Sequence, residues 1–264
     1  MKNEFEQFQG LEAKELEPRF KMAKEQILSP YTEEEIKAVW EVISKYRASS
    51  FPPVKNVLHR YFEGFDFAIN VNHLSGKQML EFQITNADKK NIAHIIFEQS
   101  SEQAGSWDLV HRLVDTAELG ISGTEFFEQA ERYLQALTDN KYIELDNITA
   151  SSSQPIVINW LQKNGFEFVS DSDKDALQAY LEHPQEFEGL YFSDSPSRDT
   201  IRYNNEPFLF KKSDLDFDQL TLVLDPNIPD GKHFIMSHSQ MLKIPGLLRV
   251  RLKKPMNARF AEIE

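Results

Sequence analysis

Between Val110 and Phe168 the hydrophobic period switches repeatedly, and that alternation limits the possible folds more than any other feature. A strand spanning Trp107 to Thr116 leads into the turn Leu119-Gly120-Ile121-Ser122-Gly123-Thr124. From Thr124 to Leu137 the apolar residues Phe126, Phe127, Ala130, Tyr133, Leu134 and Leu137 recur at helical spacing and share one face. Tyr142 to Leu145 reads as the next strand, and Pro155 to Lys163 as a helix capped by Ser153 or Gln154. Pro155 fits the first turn of that helix, where its missing N–H costs little. Gly165 marks the exit, before a strand from Phe166 to Val169. A strand that feeds a helix through a glycine-containing turn aims several unpaired N–H groups at one spot, a geometry suited to a pyrophosphate.

The flanks follow other periods. Residues 1–64 read as helical: Thr32 and Glu35 form a capping-box pair, and Ile36, Val39, Trp40, Ile43 and Tyr46 keep helical spacing. A further short helix is expected from Val54 to Phe62. Alternation then takes over at Phe65, Phe67, Ile69 and Val71 and again at Leu80, Phe82 and Ile84, followed by Ile92–Phe97 and Leu109–Val114. Short turn-forming links between these runs predict an antiparallel meander. After Gly165, a helix is expected from Asp173 to His183, with strands at Leu190–Phe192, Thr200–Tyr203 and Phe208–Lys211. Residues 213–264 read as a small β-rich extension, with strands at His233–Met236 and Leu247–Leu252. Its closing part is basic (Lys243, Arg249, Arg251, Lys253, Lys254, Arg259), which fits a solvated strand face, a patch docked on the acidic body, or a ligand site.

Composition removes several function classes. The 264 residues contain no cysteine, which excludes disulfides, thiolate metal sites and thiol nucleophiles. A formal charge of −13 disfavours a general nucleic-acid binder. No apolar run approaches the roughly 18 residues of a membrane span, and the N-terminus lacks the apolar stretch of a signal peptide. A cytoplasmic protein is the expectation, with a homodimer one option for its assembly.

The order strand, glycine turn, helix, strand, helix, Gly-Phe resembles the acyl-CoA-binding core of the GNAT acyltransferase superfamily. The likeness covers residues 65–212 and is most specific from Val110 to Phe168. It implies an α+β fold: a mixed, mostly antiparallel sheet flanked by helices, with the helical segment 1–64 before it and the extension 213–264 after it. The family's turn pattern, Gln/Arg-x-x-Gly-x-Gly/Ala, falls on Glu118-Leu119-Gly120-Ile121-Ser122-Gly123, where only Gly123 matches directly. Glu118 stands where a cation or amide is usual, and Ile121 where a glycine is usual unless Gly120 takes that part.

What the resemblance implies for chemistry is an N-acyltransferase using acetyl-CoA or another acyl-CoA, with an amine acceptor. Amides from Gly120, Ile121, Ser122, Gly123 and Thr124 would meet the pyrophosphate, and Thr124 would add a hydroxyl. Leu113, Val114 and Asp115 would pair with the pantetheine amides. The tyrosine acid common in the family falls on Leu161, so the acid is absent or comes from elsewhere. For the acyl end the candidates are Glu98, His111 and Asn147, with Asp115 as a further base. His111 alternates with Leu109 and Leu113, a pattern that a core histidine satisfies more readily than a catalytic one. The departures at Glu118, Ile121 and Leu161 leave open a degenerate relative that binds or regulates without catalysis.

Other motifs weaken on inspection. Asp171-Ser172-Asp173-Lys174-Asp175 begins like a calcium loop, but Ala176 replaces the required glycine, so an acidic helix start is expected. His233 and His238 have no third ligand nearby in the sequence.

Overall fold

The computed structural model describes residues 21–46, 54–62, 64–74, 77–100, 103–114, 120–193, 207–216, 233–236 and 238–256. The fold is α+β with largely antiparallel sheet, and it divides into two compact units: residues 1–148 with 256–264, and residues 149–255. No helix among the described residues is long and apolar enough to cross a membrane.

In the first unit the described residues open with a helical stretch at 21–27 (α1) and the helix α2 (Glu33–Tyr46). The expected capping box is present at α2. The Thr32 amide donates to Glu35 Oε2 at 2.9 Å, and the Glu35 amide donates to Thr32 Oγ1 at 3.2 Å. Five strands follow: β1 (Val54–Phe62), β2 (Phe65–Leu74), β3 (Lys77–Thr85), β4 (Asn91–Gln99) and β5 (Ser106–Val114). Each pairs antiparallel with the next, which is the meander the alternation predicts plus one strand more.

That extra strand corrects an expectation. Val54 to Phe62 is not a helix but β1, hydrogen-bonded along β2 with Leu58 opposite Ile69 and Phe62 opposite Phe65. Val54, Val57, Leu58, Tyr61 and Phe62 do keep helical spacing. β-Branched and aromatic residues beside an open sheet edge nevertheless gain more from the ladder, so tertiary pairing overrides the period. Arg60 fastens this strand to the helices. It donates to Glu35 Oε1 from Nε at 2.7 Å, to the Ser29 carbonyl at 3.0 Å and to the Pro30 carbonyl at 3.1 Å. Its guanidinium also lies 4.9 Å from the centre of the Tyr31 ring.

The helix α3 (Gly123–Asp139) has the predicted buried face, including Phe126, Phe127, Ala130, Tyr133, Leu134 and Leu137. That face packs on β3 and β4 through ring contacts. Tyr133 lies 5.7 Å from Phe82, and Phe127 lies 6.2 Å from Phe97. Burying such rings contributes roughly 1.5–3 kcal/mol each.

A second correction concerns Tyr142–Leu145, which forms no strand. Ile143 and Leu145 are buried as alternation requires, but the strand begins later, as β6 (Asn147–Ser152). A left-handed residue at Lys141 (φ 60°) belongs to the turn that delays it.

β6 carries the chain into the second unit, where α4 (Pro155–Lys163) follows with Gln154 at its N-cap and Pro155 in its first turn. Gly165, at φ 84°, ends it as expected, with the Phe166 amide reaching the Leu161 carbonyl at 3.1 Å. Then come β7 (Glu167–Phe168), α5 (Asp171–Glu182), a 3-10 turn at Pro184–Glu186 and β8 (Phe187–Ser193). β9 (Phe208–Lys211), β10 (His233–Ile235), α6 (His238–Met241) and β11 (Val250–Pro255) complete the described elements. The strand expected at Thr200–Tyr203 lies outside the described residues.

Two sheet systems share this unit. β11 pairs antiparallel with β7, Leu252 opposite Phe168, and has β6 as its other neighbour. β8 pairs antiparallel with β9 and parallel with β10 around Leu190, Phe210, Leu215, Phe234 and Met241. The acidic start at Asp171 is a helix N-terminus: Ser170 caps α5 and accepts from the Asp173 amide. Asp173 itself is buried and accepts from the Arg251 amide at 2.8 Å, which ties α5 to β11.

Candidate functional site

The turn that opens α3 is built around two conformational demands. Gly120 has φ 65°, a left-handed value, and a side chain added there would meet open space. Glycine is therefore favoured by backbone freedom at this position and not by crowding. Ile121, the residue expected to narrow the approach to the turn, is only 2% exposed. Ser122 is the N-cap of α3 and forms a second capping box. Its amide donates to Glu125 Oε2 at 2.8 Å, and its Oγ accepts from the Glu125 amide at 3.1 Å. Gly123 is the first residue of the helix and Thr124 the second.

A cation meets this turn that the sequence did not flag. Lys24, on α1, places Nζ 3.0 Å from the Gly120 carbonyl and 2.8 Å from Glu125 Oε1. Burial alone would raise the Glu125 carboxyl, but hydrogen bonds from Lys24 and the Ser122 amide outweigh it and hold the group below its ordinary value. The start of α3 thus combines helix amides, a carboxylate and an ammonium within hydrogen-bond reach of one another. An arriving phosphate would compete with Glu125 for Lys24 and for the helix start.

The other sequence-predicted residues lie along the sheet. Leu113 stands opposite His94 in the β4–β5 ladder, Val114 opposite Ala93, and His111 opposite Ile96. Asp115 and Glu118 lie outside the described residues. Glu98, near the end of β4, is opposite Asp108, and its Oε1 lies 2.6 Å from Lys77 Nζ. Asn147 is 2% exposed, and its Oδ1 accepts from Ser106 Oγ at 2.8 Å. The Gly105 carbonyl accepts from the amides of Asp146 (2.6 Å) and Asn147 (3.3 Å). The first residues of β5 and β6 are thereby fastened together. From Ser106 to Val114 an extended strand covers about 26 Å, so Asn147 and the cofactor-pairing residues Leu113 and Val114 belong to opposite ends of β5.

No family model matches the chain, and no curated protein matches it either.

Proposed function

We propose that the chain is an N-acyltransferase that moves an acetyl or other acyl group from acyl-CoA to an amine acceptor by direct attack. The observation that carries this reading is the turn from Gly120 to Thr124. It has a left-handed glycine with open space beside it, at the start of a 17-residue helix, with the Lys24 ammonium 3.0 Å from the Gly120 carbonyl. Anions favour such a helix start, and an added lysine strengthens the preference. The element order β5, turn, α3, β6, α4, Gly165-Phe166 supports the GNAT resemblance. The acidity of the chain favours a cationic acceptor as a field effect, and the reaction would draw on cytoplasmic acyl-CoA.

A second reading has its own observation. The Ser122–Glu125 box already engages two backbone amides of the helix start and sets a carboxylate there. That arrangement suits a GNAT-like protein that has given up the cofactor and serves as a binding or regulatory module.

Calorimetric titration of the full chain with acetyl-CoA separates the two. Binding by the parent that is lost in both Lys24→Glu and Gly123→Trp supports the acyltransferase reading. Absence of binding to folded parent protein sinks it for acetyl-CoA, and binding that survives both substitutions moves the cofactor away from this turn.

A further inference from the structure

The exit of α4 is built from a dipeptide with a chemistry of its own. A helix that ends on a left-handed residue calls for glycine there, and Gly165 takes that place at φ 84°. Asn164 stands before it as the C-cap, at φ −94° and ψ 17°, and is 6% exposed. Its Nδ2 donates to the Trp160 carbonyl at 2.7 Å, and its backbone N–H reaches the same carbonyl at 3.1 Å. The Gly165 amide donates to the Gln162 carbonyl at 3.0 Å, and the Phe166 amide to the Leu161 carbonyl at 3.1 Å. The needs of the helix end thus place asparagine directly before glycine, the only such pair in the chain. Asparagine is among the chemically labile side chains, and glycine leaves the next backbone nitrogen unshielded by a Cβ.

We propose that Asn164-Gly165 is a site of spontaneous covalent modification, which the fold keeps inert and which local opening of the α4 exit discharges, loosening the second unit irreversibly. The site is independent of the acyl-transfer reading, and its reaction needs no partner but water. The Gly165 nitrogen gives up its proton to solvent base and attacks Asn164 Cγ, forming a five-membered imide. The bond from Cγ to Nδ2 breaks, and that nitrogen takes up a proton and leaves as ammonia. Water then opens the imide. Breaking the new N–Cγ bond gives aspartate, whereas breaking the original peptide bond gives isoaspartate, with the backbone rerouted through the side chain. Ring closure requires the Gly165 nitrogen to swing onto the Cβ side of Asn164 about the Cα–C bond. At ψ 17° it is turned well away, its N–H is engaged by the Gln162 carbonyl, and Nδ2 is held by the Trp160 carbonyl. All three restraints fall together when the last turn of α4 opens.

The products do not fit the place in which they form. Aspartate sets a carboxylate, with no N–H to give, against the Trp160 carbonyl at the negative end of a helix and in a buried position. Isoaspartate adds a backbone atom ahead of Gly165, which disturbs the bonds to the Gln162 and Leu161 carbonyls. Those bonds seat the buried side chains of Phe166 and Leu161. A chain that reacts while open therefore cannot close as before, and the damage runs in one direction.

The test incubates the full chain in mildly alkaline buffer, folded and in guanidinium chloride, and follows Asn164 by mass spectrometry of peptic peptides prepared at acid pH. We expect Asn164 to convert in the unfolded chain and to react on the order of 10²-fold more slowly in the folded one, the ratio reporting how seldom the exit opens. Asn140 and Asn147, which precede Lys141 and Ile148, should stay intact over the same time. An unfolded chain that keeps Asn164 overturns the reactive site. A folded chain that reacts as fast as the unfolded one overturns the protection. Asn164→Asp reads the consequence: amide hydrogen exchange across α4 must quicken while that of α3 is unchanged, and parental exchange across α4 overturns the loosening. Should Asn164→Asp fail to fold, parent chain aged unfolded to full conversion must refold in lower yield than Asn164→Gln aged alongside it, and equal yields overturn the same step.

Discussion

Replacing Gly105 by alanine isolates the cost of fastening β5 to the chain before β6. Gly105 has φ 74°, and a Cβ built there would sit 2.8 Å from Asp146 Cγ. Two penalties compete. Left-handed backbone costs an alanine about 1–2 kcal/mol, whereas overpacking in a closed site costs about 1–3 kcal/mol. Asp146 is exposed, however, so its carboxylate can rotate into solvent while its amide keeps the 2.6 Å bond to the Gly105 carbonyl. The steric part is therefore mostly relieved and backbone strain remains, for a total of about 2 kcal/mol. Trp107 is the natural reporter: it is fully buried two residues away, with Nε1 donating to the Glu144 carbonyl at 3.0 Å. Urea unfolding followed by its fluorescence should give this loss for Gly105→Ala and a smaller one for Gly105→Asn, since asparagine tolerates the left-handed region better. The coupling between Gly105→Ala and Asp146→Ala should stay within about 0.5 kcal/mol. A strong rescue by Asp146→Ala would show that crowding governs the turn, and a neutral Gly105→Ala would refute both terms.

Three more outcomes are expected. Arg60→Lys should destabilise the first unit by about 2 kcal/mol in chemical denaturation, because lysine cannot reproduce the fork that bridges Glu35 and two carbonyls. Burial raises the Asp173 carboxyl, but bonds from Ser170 and Arg251 outweigh it and hold the group below its ordinary value. Its stabilising contribution is thus present above the unfolded pKa of about 3.9 and disappears as pH falls through the lower folded value. Asp173→Asn should weaken the second unit at neutral pH and flatten its stability curve on the acid side, read by acid titration of Trp160 fluorescence. Ser122→Ala should cost about 1 kcal/mol by removing the cap of α3; no change in thermal unfolding would argue that Lys24 and Glu125 hold the helix start without it.

Where sequence and structure agree, the deciding interactions are local. The Thr32/Glu35 box, the buried stripe of α3 and the glycine exit at Gly165 each depend on residues within a turn or two of one another, so spacing reveals them. Where they part, the deciding interaction is distant. Val54–Phe62 has helical spacing but a strand's partner, and only β2 settles the choice. Tyr142–Leu145 alternates and is buried accordingly, yet the ladder waits for Asn147. For the candidate site, the turn at Gly120–Thr124 was visible as a pattern, whereas the Ser122–Glu125 capping box was not singled out. Lys24 could not be, because nothing in the sequence announces that α1 reaches a carbonyl 96 positions away.

The place of β11 also bears on the order in which the molecule is made. Phe168 leaves the ribosome long before its ladder partner Leu252, and the whole β8–β9–β10 sheet with its own apolar centre is synthesised in between. Until Val250–Pro255 arrives, the slot between β6 and β7 stands open, with backbone donors and acceptors on both sides. The inserted sheet can collapse early on its local contacts, but the larger one closes only after a long loop has been drawn in, a step slowed by chain entropy. A growing chain therefore passes through a stage in which one half of the second unit is settled and the other is a template waiting for any extended segment. β11 acts as a plug, and a nascent chain that stalls before Val250 would be the form most exposed to chaperones and to aggregation.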